Sequence, residues 1–255
     1  MSKRIFLAGA SGVIGRPLVL LLLKAGHQVV GMTRSAQSAE KLEASGAMAV
    51  VADVFDREGV IAAVEAAQPD IIMHQLTDLS LLVGDPENTA AAIASNARIR
   101  AEGTRNLIDA AMVAGTHRLI AQSIAWAYAA GRVPHGEDDP LDRSAPPPRS
   151  ITLDGVIALE DAVLRTPGIH GTILRYGQLY GPGTANALPT GDSPVHVDAA
   201  AQAALLAVER DATGIFNIAE PNSAVVTAKA EAELGWEHGF RVGPAVRTQL
   251  SDRSA

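Results

Sequence analysis

The chain of 255 residues has no cysteine, which excludes disulfides, thiolate metal ligands and a cysteine nucleophile and removes redox chemistry as a guide to compartment. It is short of basic residues. Twenty-one Lys and Arg stand against 28 Asp and Glu, the formal charge is −7, and no run of Lys or Arg supplies the footprint a phosphate backbone needs; nucleic acid is not an expected partner. Long apolar runs are missing too. The longest purely aliphatic stretch, residues 18–23, is far too short to cross a bilayer. The start Met-Ser-Lys-Arg opens like a signal peptide, but the apolar run behind it breaks at Gly9. A cytoplasmic protein is the simplest expectation, and 47% hydrophobic residues describe an ordinary globule with one core.

What the chain does have begins at once. Ile-Phe-Leu-Ala at 5–8 runs into Gly9-x-x-Gly12-x-x-Gly15, followed by Val13, Ile14, Leu18, Leu21 and Leu22 at helical spacing and by Gly26 as a stop. A strand, a glycine turn and a helix in that order form a dinucleotide-binding turn. One glycine permits the sharp turn, one lets the backbone approach a pyrophosphate, and one lets helix and strand pack closely, with phosphates at the positive helix N-terminus. Gly9, Ser11, Gly12, Val13, Ile14 and Gly15 are therefore cofactor-binding candidates.

Beyond the turn, apolar runs at 28–32, 47–52, 70–74, 117–122 and 170–175 alternate with helical patterns at 36–45, 57–67, 86–114 and 153–165. Such alternation predicts right-handed βαβ units and an α/β, doubly wound parallel sheet, the Rossmann fold. We expect a single domain over 1–255. Pro- and Gly-rich stretches at 123–150 and 176–197 follow strand C-terminal ends, where ligands bind in such sheets, and are candidate substrate loops. A helix at 198–209, a strand at 214–219 and a helix at 228–234 fall in a small C-terminal part, 195–255, suited to substrate binding.

The second strand ends where an acidic residue would take the ribose hydroxyls of NAD. That place reads Thr33-Arg34-Ser35, with no acid before Glu40. A guanidinium suits a 2′-phosphate, so NADP is expected over NAD; a solvated arginine before the next helix has the same local sequence. Asp53, before Val54, suits an adenine contact or a helix N-cap. His135 neighbours Glu137, Asp138 and Asp139 without the spacing of a ligand frame, so no metal is expected.

Taken in order, these motifs resemble the short-chain dehydrogenase/reductase superfamily, in its extended or atypical branch related to NAD(P)-dependent epimerases and dehydratases. Gly9 to Gly15 is similar to that branch's opening motif and Asp53-Val54 to its adenine contact. His74-Gln75-Leu76-Thr77 stands at its segment beside the cofactor, and Gly103 to Ala111 resembles its central helix. Leu174-Arg-Tyr176-Gly177-Gln-Leu179-Tyr180-Gly-Pro-Gly183 resembles its sixth-strand motif. The resemblance adds Gln75, Leu76, Thr77, Gln122, Tyr176 and Gly177 to the cofactor candidates.

The catalytic set departs from the pattern. The family uses a Ser or Thr at the end of strand five with a Tyr-x-x-x-Lys pair on the next helix. Here alignment through Glu160 places Thr152 and Val156 at the pair, and counting back from Tyr128 puts Ile124 at the hydroxyl. Ser123, one place earlier, and Tyr128 are the remaining catalytic candidates. A turn-stabilising serine and a half-buried tyrosine are the plainer readings of the same residues. Ile124, Trp126, Leu179 and Tyr180 are candidate substrate contacts, and His196 reads as a relay or as a loop-folding residue.

The short 183–195 segment leaves no room for the family's longer nucleotide-sugar insertion. The expected function is an NADP(H)-dependent oxidoreductase acting on a small, fairly apolar carbonyl, alcohol or enone. A redox-neutral epimerase, isomerase or dehydratase and a catalytically degenerate NADP-binding sensor are the alternatives. The small-molecule substrate is the expected partner, with a homodimer through helices 86–114 and 153–165.

Overall fold

The computed structural model describes residues 1–78 and 86–243, without the side chains of 86–88. Seven strands form one parallel sheet, β1 (Arg4–Ala8), β2 (Gln28–Thr33), β3 (Met48–Val51), β4 (Ile71–His74), β5 (Arg118–Ile124), β6 (His170–Tyr176) and, later in the chain, Gly214–Ile218. Between them run α1 (Gly15–Lys24), α2 (Ala36–Ala44), α3 (Arg57–Ala67), α4 (Pro86–Arg98), α5 (Thr104–Ala114) and α6 (Arg149–Arg165). A two-stranded parallel pair, β7 (Gln178–Tyr180) and β8 (Pro194–His196), precedes α7 (Val197–Glu209), after which Gly214–Ile218 is β9.

The strand order is β3-β2-β1-β4-β5-β6-β9. The order reverses between β1 and β4, and ligands bind in such sheets at the carboxyl ends beside that switch point. The sequence makes this arrangement because its central strand has no polar face: Ile5, Phe6, Leu7 and Ala8 are all fully buried, as both-sided coverage by helices requires. One apolar layer packs α1, Leu42 of α2 and α7 on the sheet, and the other packs α3, α5 and α6. The strand expected at 214–219 is not confined to a C-terminal appendage; β9 pairs in parallel with β6.

Local signals set the helix ends. Ser35 accepts from Ser38 N at the start of α2 and Asp56 accepts from Gly59 N at the start of α3. Asp53 is thus not the N-cap of α3; its carboxylate accepts from Phe55 N at 2.9 Å in a turn before it. The helix expected over 86–114 is interrupted. Between α4 and α5 lies a five-residue π-helical turn, Ile99–Gly103, and its Gly103 faces Val54, whose Cγ2 would stand 3.1 Å from an added Cβ. Such wide turns are frequent at functional sites because they reorient side chains within a continuous helix.

Candidate active site

The first half of the sheet's carboxyl edge is an open cradle. Gly9 has φ +92°, which favours glycine, and an added Cβ would lie 2.6 Å from Gln75 O on β4's continuation. At Gly15 an added Cβ would lie 2.1 Å from Gly9 O, so α1 starts where only glycine fits. The resulting cavity of about 430 Å³ is lined by Gly9, Ser11, Gly12 and Val13 from the turn, Thr33 and Arg34 from the end of β2, Asp53 and Val54 after β3, and Gln75, Leu76 and Thr77 after β4. Those eleven are sequence candidates that the fold brings together. Ile14 and Gly15 lie beneath the turn rather than at its surface, with Ile14 in the core.

The cavity also takes in Met32, Ser35, Ser38, Phe55, Asp78 and Ile99, which sequence reasoning missed. The signal for Ser35 and Ser38 was present, since serines after a basic residue at a helix start suit an oxyanion. Arg34 is exposed and makes no side-chain hydrogen bond or ion pair among the described residues. The nearby Arg98 is occupied: it pairs with Glu102 at 2.7 Å, and its guanidinium stacks 3.8 Å from the Phe55 ring centroid.

At the switch point the polar groups are unsatisfied. Gln75 is buried with both amide atoms lacking a hydrogen-bond partner, and the buried Tyr176 hydroxyl faces that amide without a bond of normal geometry. Buried polar groups are rarely left so unless something else completes them. Burial pushes the Tyr176 phenol well up, which makes it a poor acid. His74 Nδ1 accepts from Leu76 N at 3.2 Å, and burial, reinforced by the charge of Arg100, lowers the imidazole to about 4, so it is neutral. Gln122 Nε2 donates to Leu76 O at 3.1 Å, supporting the post-β4 segment from behind. The glycine turn, an added-Cβ exclusion at two positions and these orphaned amide and hydroxyl groups together suit a dinucleotide.

The second half of the edge is closed. Ser123 donates to Glu160 Oε1 at 2.6 Å, and Glu160 receives both Nε and Nη2 of Arg175 at 3.0 and 2.7 Å. Arg175 also donates to the Tyr128 hydroxyl at 2.8 Å, while Tyr128 donates to Asn217 Oδ1 at 2.7 Å. All five side chains are buried. The catalytic candidates Ser123 and Tyr128 thus both donate to acceptors inside the protein, and neither lines the cavity. Burial raises the Tyr128 phenol, although Arg175 opposes the shift.

The remaining candidates divide in the same way. Val156 is fully buried against Ala127 and Leu153, so no proton relay exists at the family's lysine position, and Thr152 is half-buried on α6. Trp126 is 39% exposed, and Ile124 packs partly buried beside Val156. Gly177 stands where an added Cβ would lie 1.8 Å from Ser193 O, which holds β7 against the 193 segment. Neither Gly177 nor Tyr176 lines the cavity. Tyr180 is buried, donating to Glu220 at 2.7 Å and accepting from Arg241 at 2.9 Å, while Leu179 packs on the core. His196 caps α7 by accepting from Asp198 N at 3.1 Å, the loop-folding role. Among the described residues no helix is long and apolar enough to cross a membrane.

The profile of the NAD dependent epimerase/dehydratase family matches residues 5–195. A 3-diazoavenalumate denitrifying reductase from a Streptomyces species is 42% identical over 241 residues, covering 87% of this chain and 77% of that protein. A UDP-N-acetyl-alpha-D-glucosaminuronate decarboxylase from Bacillus cytotoxicus is 27% identical, covering 92% and 74%. Among solved structures, a UDP-glucose-4-epimerase from Stenotrophomonas maltophila with bound NAD and formylated UDP-arabinopyranose superposes with a TM-score of 0.74 at 16% identity, covering 98% of each chain. The chain belongs to the NAD-dependent epimerase/dehydratase family, an extended branch of the short-chain dehydrogenase/reductase enzymes that use a nicotinamide cofactor.

Proposed function

We propose that this chain is an NADPH-dependent reductase of a small electrophile that accepts hydride without a phenolic proton donor. The observation that carries this reading is an intact cradle in a chain with a buried Val156 in place of the family's lysine. When bound, the cofactor supplies hydride. Gly9 to Gly15 would hold the pyrophosphate against the N-terminus of α1, and Asp53 and Val54 the adenine edge. Arg34, with the Ser38 hydroxyl beside it, would take the 2′-phosphate, because a free guanidinium and a hydroxyl complement an oxyanion, while Ser35 caps α2 and donates to Ser38 Oγ. Gln75 offers a donor and an acceptor at the far end, where neither amide atom has a partner of its own.

Without a Tyr/Lys pair, the substrate must tolerate hydride addition with little acid catalysis. Activated carbonyls and enones meet that condition with water as the later proton source. A diazo-derived cation meets it better: an arenediazonium ion plus hydride gives arene and dinitrogen with no added proton. The Streptomyces relative is named for denitrifying reduction of a diazo compound, which supports this substrate class here. Trp126 and Ile124 give the neighbouring surface an apolar character that suits a small, flat molecule.

The test follows nicotinamide absorbance with purified protein against aldehydes, enones and an arenediazonium salt. Stoichiometric NADPH oxidation with at least one member, and slower oxidation of NADH, is expected. Substrate conversion without net cofactor consumption would replace the reading by a redox-neutral isomerase, and tight NADPH binding without turnover of any member by a sensor.

A further inference from the structure

Arg100 is the one strongly buried guanidinium among the described residues that has no hydrogen-bond or ion-pair partner. It is 8% exposed. The acids on its own turn and on the segments that pack against this stretch of helix have other partners: Glu102 pairs with Arg98, Glu160 with Arg175 and Ser123, and the Asp78 carboxylate accepts from Ser95. A buried unpaired charge costs several kcal/mol of desolvation, so a fold that had no use for it would carry an apolar residue there. Burial lowers Arg100 to about 10, which leaves it cationic at neutral pH.

Its place in the fold is informative. Arg100 belongs to the π-helical turn between α4 and α5; the residue before it, Ile99, lines the cavity, and its charge acts on His74 at the end of β4. Four residues earlier, Asn96 reaches the same post-β4 segment, donating to Asp78 O at 3.0 Å and accepting from Asp78 N at 2.9 Å. Four residues later, the Thr104 hydroxyl is fully buried and also lacks a partner. Asn96 and Arg100 thus both act on the segment His74–Asp78, beside the orphaned Gln75 amide, and Arg100 brings there a cation with nothing to bind.

We propose that Arg100 is a specificity-determining residue that binds a carboxylate on the substrate, so that the substrate class is a small organic acid. The inference deepens the reductase reading of the same site. The planar fork of a guanidinium matches a carboxylate bidentately, and the cofactor's phosphates already have the α1 N-terminus and Arg34.

The experiment uses benzoate and benzamide, which differ mainly in charge, titrated calorimetrically into the NADP-saturated protein, into Arg100→Met and into Arg100→Lys; NADPH affinity and melting temperature are measured in parallel. Wild type is expected to prefer benzoate by roughly tenfold or more, the range of a hydrogen bond to a charged group. Arg100→Met should lose that preference with NADPH affinity unchanged and no drop in melting temperature, and Arg100→Lys should keep part of it. No preference in wild type, or a preference that survives Arg100→Met, overturns the proposal. A parallel loss of NADPH affinity in Arg100→Met also overturns it, assigning Arg100 to the cofactor, and a lowered melting temperature with the preference intact assigns it to the fold. If wild type fails to bind NADPH, the reductase reading falls separately, and the benzoate preference is then read on the protein alone.

Discussion

The two halves of the sheet's carboxyl edge are built on opposite principles. Around β1, β2, β3 and β4 the backbone comes close, side chains are small, and polar groups such as Gln75 and Arg34 stand without internal partners. Around β5, β6 and β9, Tyr176 apart, the buried polar side chains answer one another: Ser123, Glu160, Arg175, Tyr128 and Asn217 form one buried chain of bonds. The open half is suited to receive a ligand, and the closed half is suited to hold the loops in place. The hydroxyls of Ser123 and Tyr128, at familiar places in a motif, are here tied into that internal chain of bonds.

The largest effect should come from breaking the closed half. Glu160→Leu strands Arg175 as an uncompensated buried charge and is expected to cost about 3–5 kcal/mol in denaturant unfolding, most of it recovered when Arg175→Met is added. A single variant as stable as wild type would show that the ion pair holds nothing together.

Next comes the pH dependence of the hinge between the halves. His74 binds a proton near 6.5 when unfolded but only at about 4 when folded. The unfolded chain therefore binds more protons in that window, and stability is complete above pH 6.5 and falls as pH drops toward 4. The loss is up to about 3 kcal/mol, since each tenfold change in proton affinity corresponds to about 1.4 kcal/mol. Chemical denaturation of wild type and His74→Gln across that range reads it, since the variant should lack this part of the slope; identical slopes would contradict the buried neutral imidazole.

The open half is sharpened by Arg34→Ala. Losing one charge-assisted contact should weaken NADPH by about 1.5–3 kcal/mol, roughly tenfold to a hundredfold, and leave NADH and the melting temperature nearly unchanged. Equal losses for both cofactors would remove the 2′-phosphate assignment. The smallest effect belongs to Ser123→Ala, which deletes one hydrogen bond to a carboxylate that Arg175 still neutralises. About 1 kcal/mol of stability is expected, with NADPH affinity intact.

The difference between the halves also explains what was legible in the sequence. The cradle is dictated by short-range backbone requirements: Gly9 and Gly15 are needed where a side chain would strike Gln75 O or Gly9 O, and such needs leave a mark in seven consecutive residues. The alternation of fully buried strands with amphipathic helices was equally local. The closed half depends on partners far apart in the chain, with Ser123 37 residues from Glu160 and Tyr128 89 from Asn217, so residue types were visible and their pairings were not. The π-helical turn was hidden for the same reason. Its Gly103 is shaped by Val54 across the fold, and nothing in the run 99–103 departs from ordinary helical composition.

The central claim is that ligand binding resides in the open half and structural support in the closed half. Its most direct test is a paired measurement of NADPH affinity and melting temperature on Arg34→Ala and on the double variant Ser123→Ala/Tyr128→Phe. The account predicts a crossed result: the first loses NADPH affinity at an unchanged melting temperature, and the second melts lower with NADPH affinity unchanged. A double variant that keeps its melting temperature and loses NADPH binding would contradict it.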